Sequence, residues 1–186
     1  MHINKEKLQF VFDAKAKTFA YTLMGIGLVS IIAMFIVDGQ HHAEHYHLNR
    51  AWANVFSGAF FFTALSLGAA FFLGMQYAAE AGWATTIKRV IEATSLYLPY
   101  GLSILFLLFI LGQLQIHHIY HWMAEGIADP SSPNYDPVIA GKIGYFGWFW
   151  WLRTIFYIVL WTWFTLQLRK NSLEADKYEL GGDNHS

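Results

Sequence analysis

The sequence predicts an all-α integral membrane protein: a four-helix transmembrane bundle with both termini cytoplasmic and short interfacial helices. Three observations predict it. First, the 186 residues are 55% hydrophobic and 18% aromatic but only 13% charged, whereas a soluble domain carries about 25% charged residues. Second, four stretches match the length of about 20 apolar residues that crosses a bilayer as helix. Residues 19–37, 51–79 and 93–116 carry no charge, and 143–168 carries Arg153 alone. Third, Lys and Arg are distributed unevenly between alternate connections. Lys5, Lys7, Lys15, Lys17, Lys88, Arg89, Arg169, Lys170 and Lys177 fall on one side, and Arg50 and Lys142 on the other. Positive charge is retained inside, so both termini are expected in the cytoplasm of a bacterium, with the protein in its inner membrane.

Residues 1–18 read as a cytoplasmic amphipathic arm, 19–168 as the four-span bundle and 169–186 as a cytoplasmic polar tail. The arm is lysine-rich and has no early apolar core, so the first span is expected to stay as an anchor. In the second span, small residues recur four apart at Ala64 and Gly68 and at Ala70 and Gly74, a spacing that lets helix backbones approach closely in lipid. Between the second and third spans, Trp83, Ile87, Val90 and Ile91 recur at helical spacing among Lys88, Arg89 and Glu92. This suits an amphipathic helix on the inner leaflet and equally a plain helical linker. Pro99 stands near the start of the third span, where a missing backbone donor does little harm. Residues 129–137, with three prolines among Asp, Ser and Asn, form a turn-rich outer loop. The fourth span opens on Tyr145, Phe146, Trp148, Phe149, Trp150 and Trp151, as expected of an interfacial aromatic belt; the same rings could line a quinone cleft. The end of the tail is expected to be disordered.

The chemistry concentrates in two histidine clusters at span ends. One holds His41, His42, His45 and His47; the other holds His117, His118 and His121. They contain seven of the nine histidines. Charge places both on the periplasmic side. His41 and His45 are four apart, as are His117 and His121, so on a continuing helix each pair would share a face. Three readings are open. The two pairs could together hold a di-metal centre through imidazole nitrogen. A histidine from each cluster, His42 or His45 with His117, could ligate haem b. Or the clusters form a solvated polar layer at a subunit contact. The third is the plainest, so no metal is assigned, and His41, His45, His117 and His121 stay as the alternative metal set. A catalytic residue is not assigned either. Absence of cysteine removes thiolate sites and disulfides, and a net charge of −1 gives no nucleic-acid signal.

Intramembrane charge is costly and usually faces protein or water. Arg153 is therefore singled out, with Asp38, Glu44 or Glu125 as candidate partners; an arginine snorkelling to lipid phosphate is the other reading. Asp38, Glu44, His45, His117, His121 and Arg153 form the candidate outer polar cluster or proton path. Gln76 and Glu80 are the inner polar candidates. Gln113, Gln115 and Tyr100 add polar groups within the bundle.

Several runs resemble a known family. Residues 49–54 (Asn-Arg-Ala-Trp-Ala-Asn), 75–83 (Met-Gln-Tyr-Ala-Ala-Glu-Ala-Gly-Trp) and 88–93 (Lys-Arg-Val-Ile-Glu-Ala) are similar to the second NrfD-like, quinone-binding membrane subunit of alternative complex III, a quinol:cytochrome c oxidoreductase. So are residues 118–122 (His-Ile-Tyr-His-Trp), 149–153 and 168–174. The likeness is dispersed over residues 38–176 and has a Bacteroidetes character. It implies an NrfD-like membrane subunit without its own redox centre. The family works beside an NrfD-like sister subunit and under multihaem cytochrome c and iron–sulfur subunits. It feeds electrons from menaquinol through iron–sulfur clusters and haem c towards a terminal oxidase. Family members are longer, and this chain corresponds to their first helical bundle. The resemblance implies support of quinol oxidation and proton translocation; the alternative from the histidines is a stand-alone haem b or di-metal membrane oxidoreductase.

Overall fold

A computed structural model describes residues 13–40 and 49–181. Among these, all regular secondary structure is helical. The α-helices are α1 (Ala14–Gln40), α2 (Asn49–Ala78), α3 (Lys88–Ser95), α4 (Leu98–Gln113), α5 (Pro137–Ala140), α6 (Ile143–Phe146) and α7 (Trp148–Gly181). Short 3₁₀ turns lie at Gly82–Thr86 and His121–Met123. Three runs are long and apolar enough to cross a membrane: Ala14–Asp38, Arg50–Ala78 and Lys88–Gln113. The chain forms two compact units, Met1–Ala51 and Trp52–Ser186.

In the first unit, α1 exposes apolar side chains all round, among them Phe19, Met24, Val29 and Ile36. A helix apolar on every face is stable against lipid or protein, not against water. Its serine and threonine hydroxyls are satisfied within the helix: Thr18, Thr22 and Ser30 each donate to the carbonyl four residues back. Such back-bonding removes a polar cost that a bilayer would otherwise impose. Residues 14–18, expected in a separate arm, are continuous with α1; the rest of the arm lies outside the described residues. At the far end the Asp38 carboxylate accepts the backbone N–H of Ala51 at 3.1 Å. It thereby satisfies a free donor of the first turn of α2, where negative charge also suits the helix dipole.

In the second unit, the buried residues of α2 are Ala59, Thr63, Ser66, Ala70 and Leu73. Alternating steps of four and three place them on one stripe. The expected small-residue face is thus shifted: Ala64 and Gly68 are exposed, and Ala70 alone of the four expected residues is buried. In α4 the buried residues are Leu98, Gly101, Leu108 and Gly112, again with a heptad-like step. The third span is therefore shifted towards the N-terminus. It ends at Gln113, not Ile116, and α3 and α4 are separated by a turn at Leu96 and Tyr97. Pro99 lies in the first turn of α4, as expected. The fourth helix starts five residues later than expected. Residues 143–146 form the separate helix α6, and Gly147 divides it from α7. Helix α7 continues through residues 169–181 of the polar tail; residues 182–186, at the end expected to be disordered, lie outside the described residues.

Helices α4 and α7 pack antiparallel. Phe106 meets Trp151 and Phe109 meets Trp150 at one end, while Glu92 of α3 meets Arg169 at the other. Both α2 and α4 end in the same way. Glu80 (φ 49°) and Gln115 (φ 59°) take the left-handed conformation. The N–H of Ala81 bonds the Gln76 carbonyl and that of Glu80 the Tyr77 carbonyl; Ile116 and Gln115 repeat the pattern on Leu111 and Gly112. These are Schellman ends, in which glycine is the usual left-handed residue.

Gly101 sets the α2–α4 approach. A Cβ there would collide with the Thr63 hydroxyl and come to 2.9 Å from Tyr97 Cε1. Gly101→Ala should destabilise the fold by about 1–3 kcal/mol, read as thermal unfolding in detergent. Adding Thr63→Ala should restore part of the loss; equal stability of Gly101→Ala and the parent would reject this contact.

Candidate functional site

The polar candidates separate towards the two ends of the α4–α7 pair. At the end formed by residues 108–124 and 146–151, the centre is His117. It is 2% exposed, and its Nε2 lies 2.8 Å from the Leu108 carbonyl oxygen. A carbonyl can only accept, so Nε2 carries the proton in this contact. Gly112 makes the approach possible: a Cβ there would stand 2.9 Å from His117 Cε1 and 3.0 Å from Met123 Sδ. Around the imidazole stand Trp52 at 5.2 Å and Tyr120 at 6.3 Å between ring centroids. Tyr120 continues the contact to Phe56 and Phe109, and Trp122 bridges Phe146 and Trp150. Such edge, tilted and stacked contacts add stabilisation beyond area burial. The loop is closed by Gln115, whose Nε2 donates to the Met123 carbonyl at 2.6 Å.

This geometry corrects the helical reading of the second cluster. With α4 ended, His117 and His121 do not sit on a continuing helix. His117 is buried, whereas the His121 side chain is 66% exposed, with Nε2 3.5 Å from an Asp136 carboxylate oxygen. They do not share a face. His41, His45 and Glu44 lie outside the described residues, and among the described residues no three metal-type side chains gather at one point. Asp136 also caps α5, accepting the N–H groups of Val138 and Ile139, with Pro137 in the first turn. Asp129 begins the turn-rich loop; hydrogen bonds from the Ser131 hydroxyl and N–H hold its carboxyl below the usual range.

Arg153 lies about 7.5 Å along α7 from Trp148 at 1.5 Å per residue. It is exposed, with its guanidinium 5.4 Å from the Phe149 ring centroid. Glu125, a candidate partner, is exposed in the loop between α4 and α5, and the Asp38 carboxylate serves the start of α2. Tyr100 is 69% exposed. Below the loop, a cleft of about 730 Å³ is lined by Gln113, Gln115, Trp122, Phe146, Trp148 and Trp151, among others. The aromatic run thus divides between a packed core and the wall of a cleft.

At the opposite end lies an ionic cluster that the sequence did not single out as a site. Glu92, with its side chain 1% exposed, accepts from Arg89 at 2.7 Å and from Arg169 at 2.6 Å. Arg89 also donates to Ser172 at 3.2 Å and pairs with Asp176. Thr165, Arg169, Ser172 and Asp176 follow one another at steps of four, three and four, so one stripe of α7 faces α3. The signal was present: a carboxylate three residues from Arg89 in an apolar setting must be paired to be buried. Its second partner, 77 residues away, had no local trace. The inner candidates Gln76 and Glu80 lie nearby in sequence, beside a separate cavity lined also by Tyr77 and Lys88.

Compared with protein-family models and with curated protein sequences, the chain shows no match.

The Tyr120 hydroxyl is buried and has no hydrogen-bond partner among the described residues, and burial pushes the phenol up to about 12. A raised phenol contributes stability that is present below the unfolded value of about 10 and is lost as pH rises through about 12. Tyr120→Phe should leave stability at neutral pH equal or higher and remove this alkaline loss, as measured by unfolding at a series of pH values. In the ionic cluster, Arg169→Met should cost about 2 kcal/mol, because it leaves a buried carboxylate short of a partner. Glu92→Met should cost less, since both arginines reach solvent and the desolvated charge is removed. The reverse order in chemical unfolding would contradict the burial of Glu92.

Proposed function

We propose that this chain is a membrane subunit of a quinol-oxidising respiratory complex of the alternative complex III kind, supporting the reaction without a redox centre of its own. In this reading α7 is the fourth span. It packs antiparallel beside α4, and its first 21 residues, up to Leu168, carry only one charge. Tryptophans make it less apolar than the other spans, yet they suit membrane interfaces. Both termini then share the lysine- and arginine-rich cytoplasmic side, and the His117 loop faces the periplasm.

Arg153 carries the reading. A charged side chain inside a span normally faces protein or water, yet Arg153 points outward from its own bundle, among exposed Trp148, Phe149, Leu152 and Phe156. A neighbouring subunit covering this face resolves the conflict. The aromatic cleft beside it offers flat apolar walls with two glutamine amides, which suits a sister subunit's side chain or a quinol ring. Electron carriers docked over the loop would meet His121 and Asp136. The inner candidates, Gln76 and Glu80, supply polar groups on the cytoplasmic side for proton entry.

The test is purification of the tagged chain from its native membranes. Co-purification of haem c absorbance, iron–sulfur protein and quinol:cytochrome c reductase activity is expected. Arg153→Leu should lower the yield of assembled complex on native gels. Unchanged assembly and turnover would count against the covered face, and a Soret band that follows the isolated polypeptide would overturn the reading in favour of haem b.

A further inference from the structure

The cavity between the end of α2 and the start of α3 has a volume of about 290 Å³. It opens between Ala78 and Lys88, where one apolar run ends and the next begins, so it lies at interfacial depth. Leu73 and Ala84, both buried, and Ile91 give it apolar walls. Lys88 stands at its rim with the ammonium 5.1 Å from the Tyr77 ring centroid. Glu80 lines the same space, and among the described residues its carboxylate has no ion-pair partner.

Glu80 is locally unfavourable on two counts. Its φ of 49° suits glycine, which lacks the Cβ that crowds the following carbonyl in this conformation. It also puts a carboxylate at the negative end of the α2 dipole. Gln115, the other non-glycine residue in this conformation among the described residues, is tied to the Met123 carbonyl; Glu80 has no such tie. The left-handed turn itself serves the Schellman end of α2, but the Glu80 carboxylate is left without a tie and is available to a bound group. The Glu80 carboxylate and the last carbonyls of α2 both attract a cation, and Lys88 across the same cavity attracts an anion.

We propose that the cavity binds the headgroup of phosphatidylethanolamine, with the primary ammonium at Glu80 and the phosphate at Lys88. Small-ligand pockets start at about 300 Å³, so this one of about 290 Å³ takes a headgroup while the acyl chains stay in the bilayer. A primary ammonium keeps N–H donors for Glu80; the trimethylammonium of phosphatidylcholine has none. The site is independent of the outer loop and of Arg153.

The test places the full chain in phosphatidylcholine nanodiscs doped with phosphatidylethanolamine or phosphatidylglycerol, and reads melting temperature together with lipid retention by native mass spectrometry. Phosphatidylethanolamine should raise the melting temperature and be retained severalfold over phosphatidylcholine. Glu80→Gln should abolish that preference, and Lys88→Gln should weaken retention of both lipids. On the unaltered protein, successive N-methylation of the headgroup should lower retention step by step, which keeps the test valid if a variant does not fold. Equal retention across the methylated series overturns the proposal, as does preference for phosphatidylglycerol, which would mark an anion site at Lys88 alone.

Discussion

The buried carboxylate of Glu92 is the constraint on which the helical pair depends. A charge removed from water must be matched by partners, and Glu92 finds them on two elements: Arg89 on its own helix and Arg169 on α7. This fixes the rotation of both helices. Once Arg169 faces α3, Thr165 and Ser172 must follow it to the same side, and both are buried. The opposite end of α7 is then presented to α4, where Trp150 and Trp151 meet Phe109 and Phe106. An ionic lock at one end and an aromatic plug at the other define the antiparallel pair.

Small residues govern the remaining contact. In lipid the hydrophobic effect does not drive helices together, so close packing must do so. Thr63 against Gly101 supplies that packing between α2 and α4, and Gly112 admits the His117 ring to the end of α4. His117 therefore works as a plug: it ties the loop to a helix carbonyl and seats the ring between Trp52 and Tyr120. The histidine cluster that looked like a ligand set is divided, with one member in the core and one, His121, at the surface beside Asp136.

Much of the fold was legible because lipid solvation leaves a one-dimensional record. Charge-free runs of about 20 residues gave three spans near their observed places. Pro99 and the loop prolines marked helix starts and turns by backbone chemistry alone. The boundaries at Gln113 and Trp148 were not legible, since the Schellman end at Gln115 uses glutamine and the break at Gly147 lies inside an aromatic run. The small-residue stripe on α2 was misplaced for a related reason. Spacing finds residues that share a face, but several faces of that helix carry small residues, and a partner must choose among them.

The sequence by itself determined the helical class, the runs long and apolar enough to cross a membrane and the places where chemistry can gather, because each follows from the solubility of side chains and from local backbone preference. Tertiary structure decided which polar groups meet. Arg89 and Arg169 read as ordinary cytoplasmic charge until they close on Glu92. His117 and His121 read as a pair until the chain turns at Gln115 and sends one inward. Glu80 read as a polar residue at a span end until its backbone conformation and its cavity appeared together. Contacts between residues tens of positions apart depend on how the helices rotate against one another. That rotation is set by the few buried groups that have no other way to be satisfied.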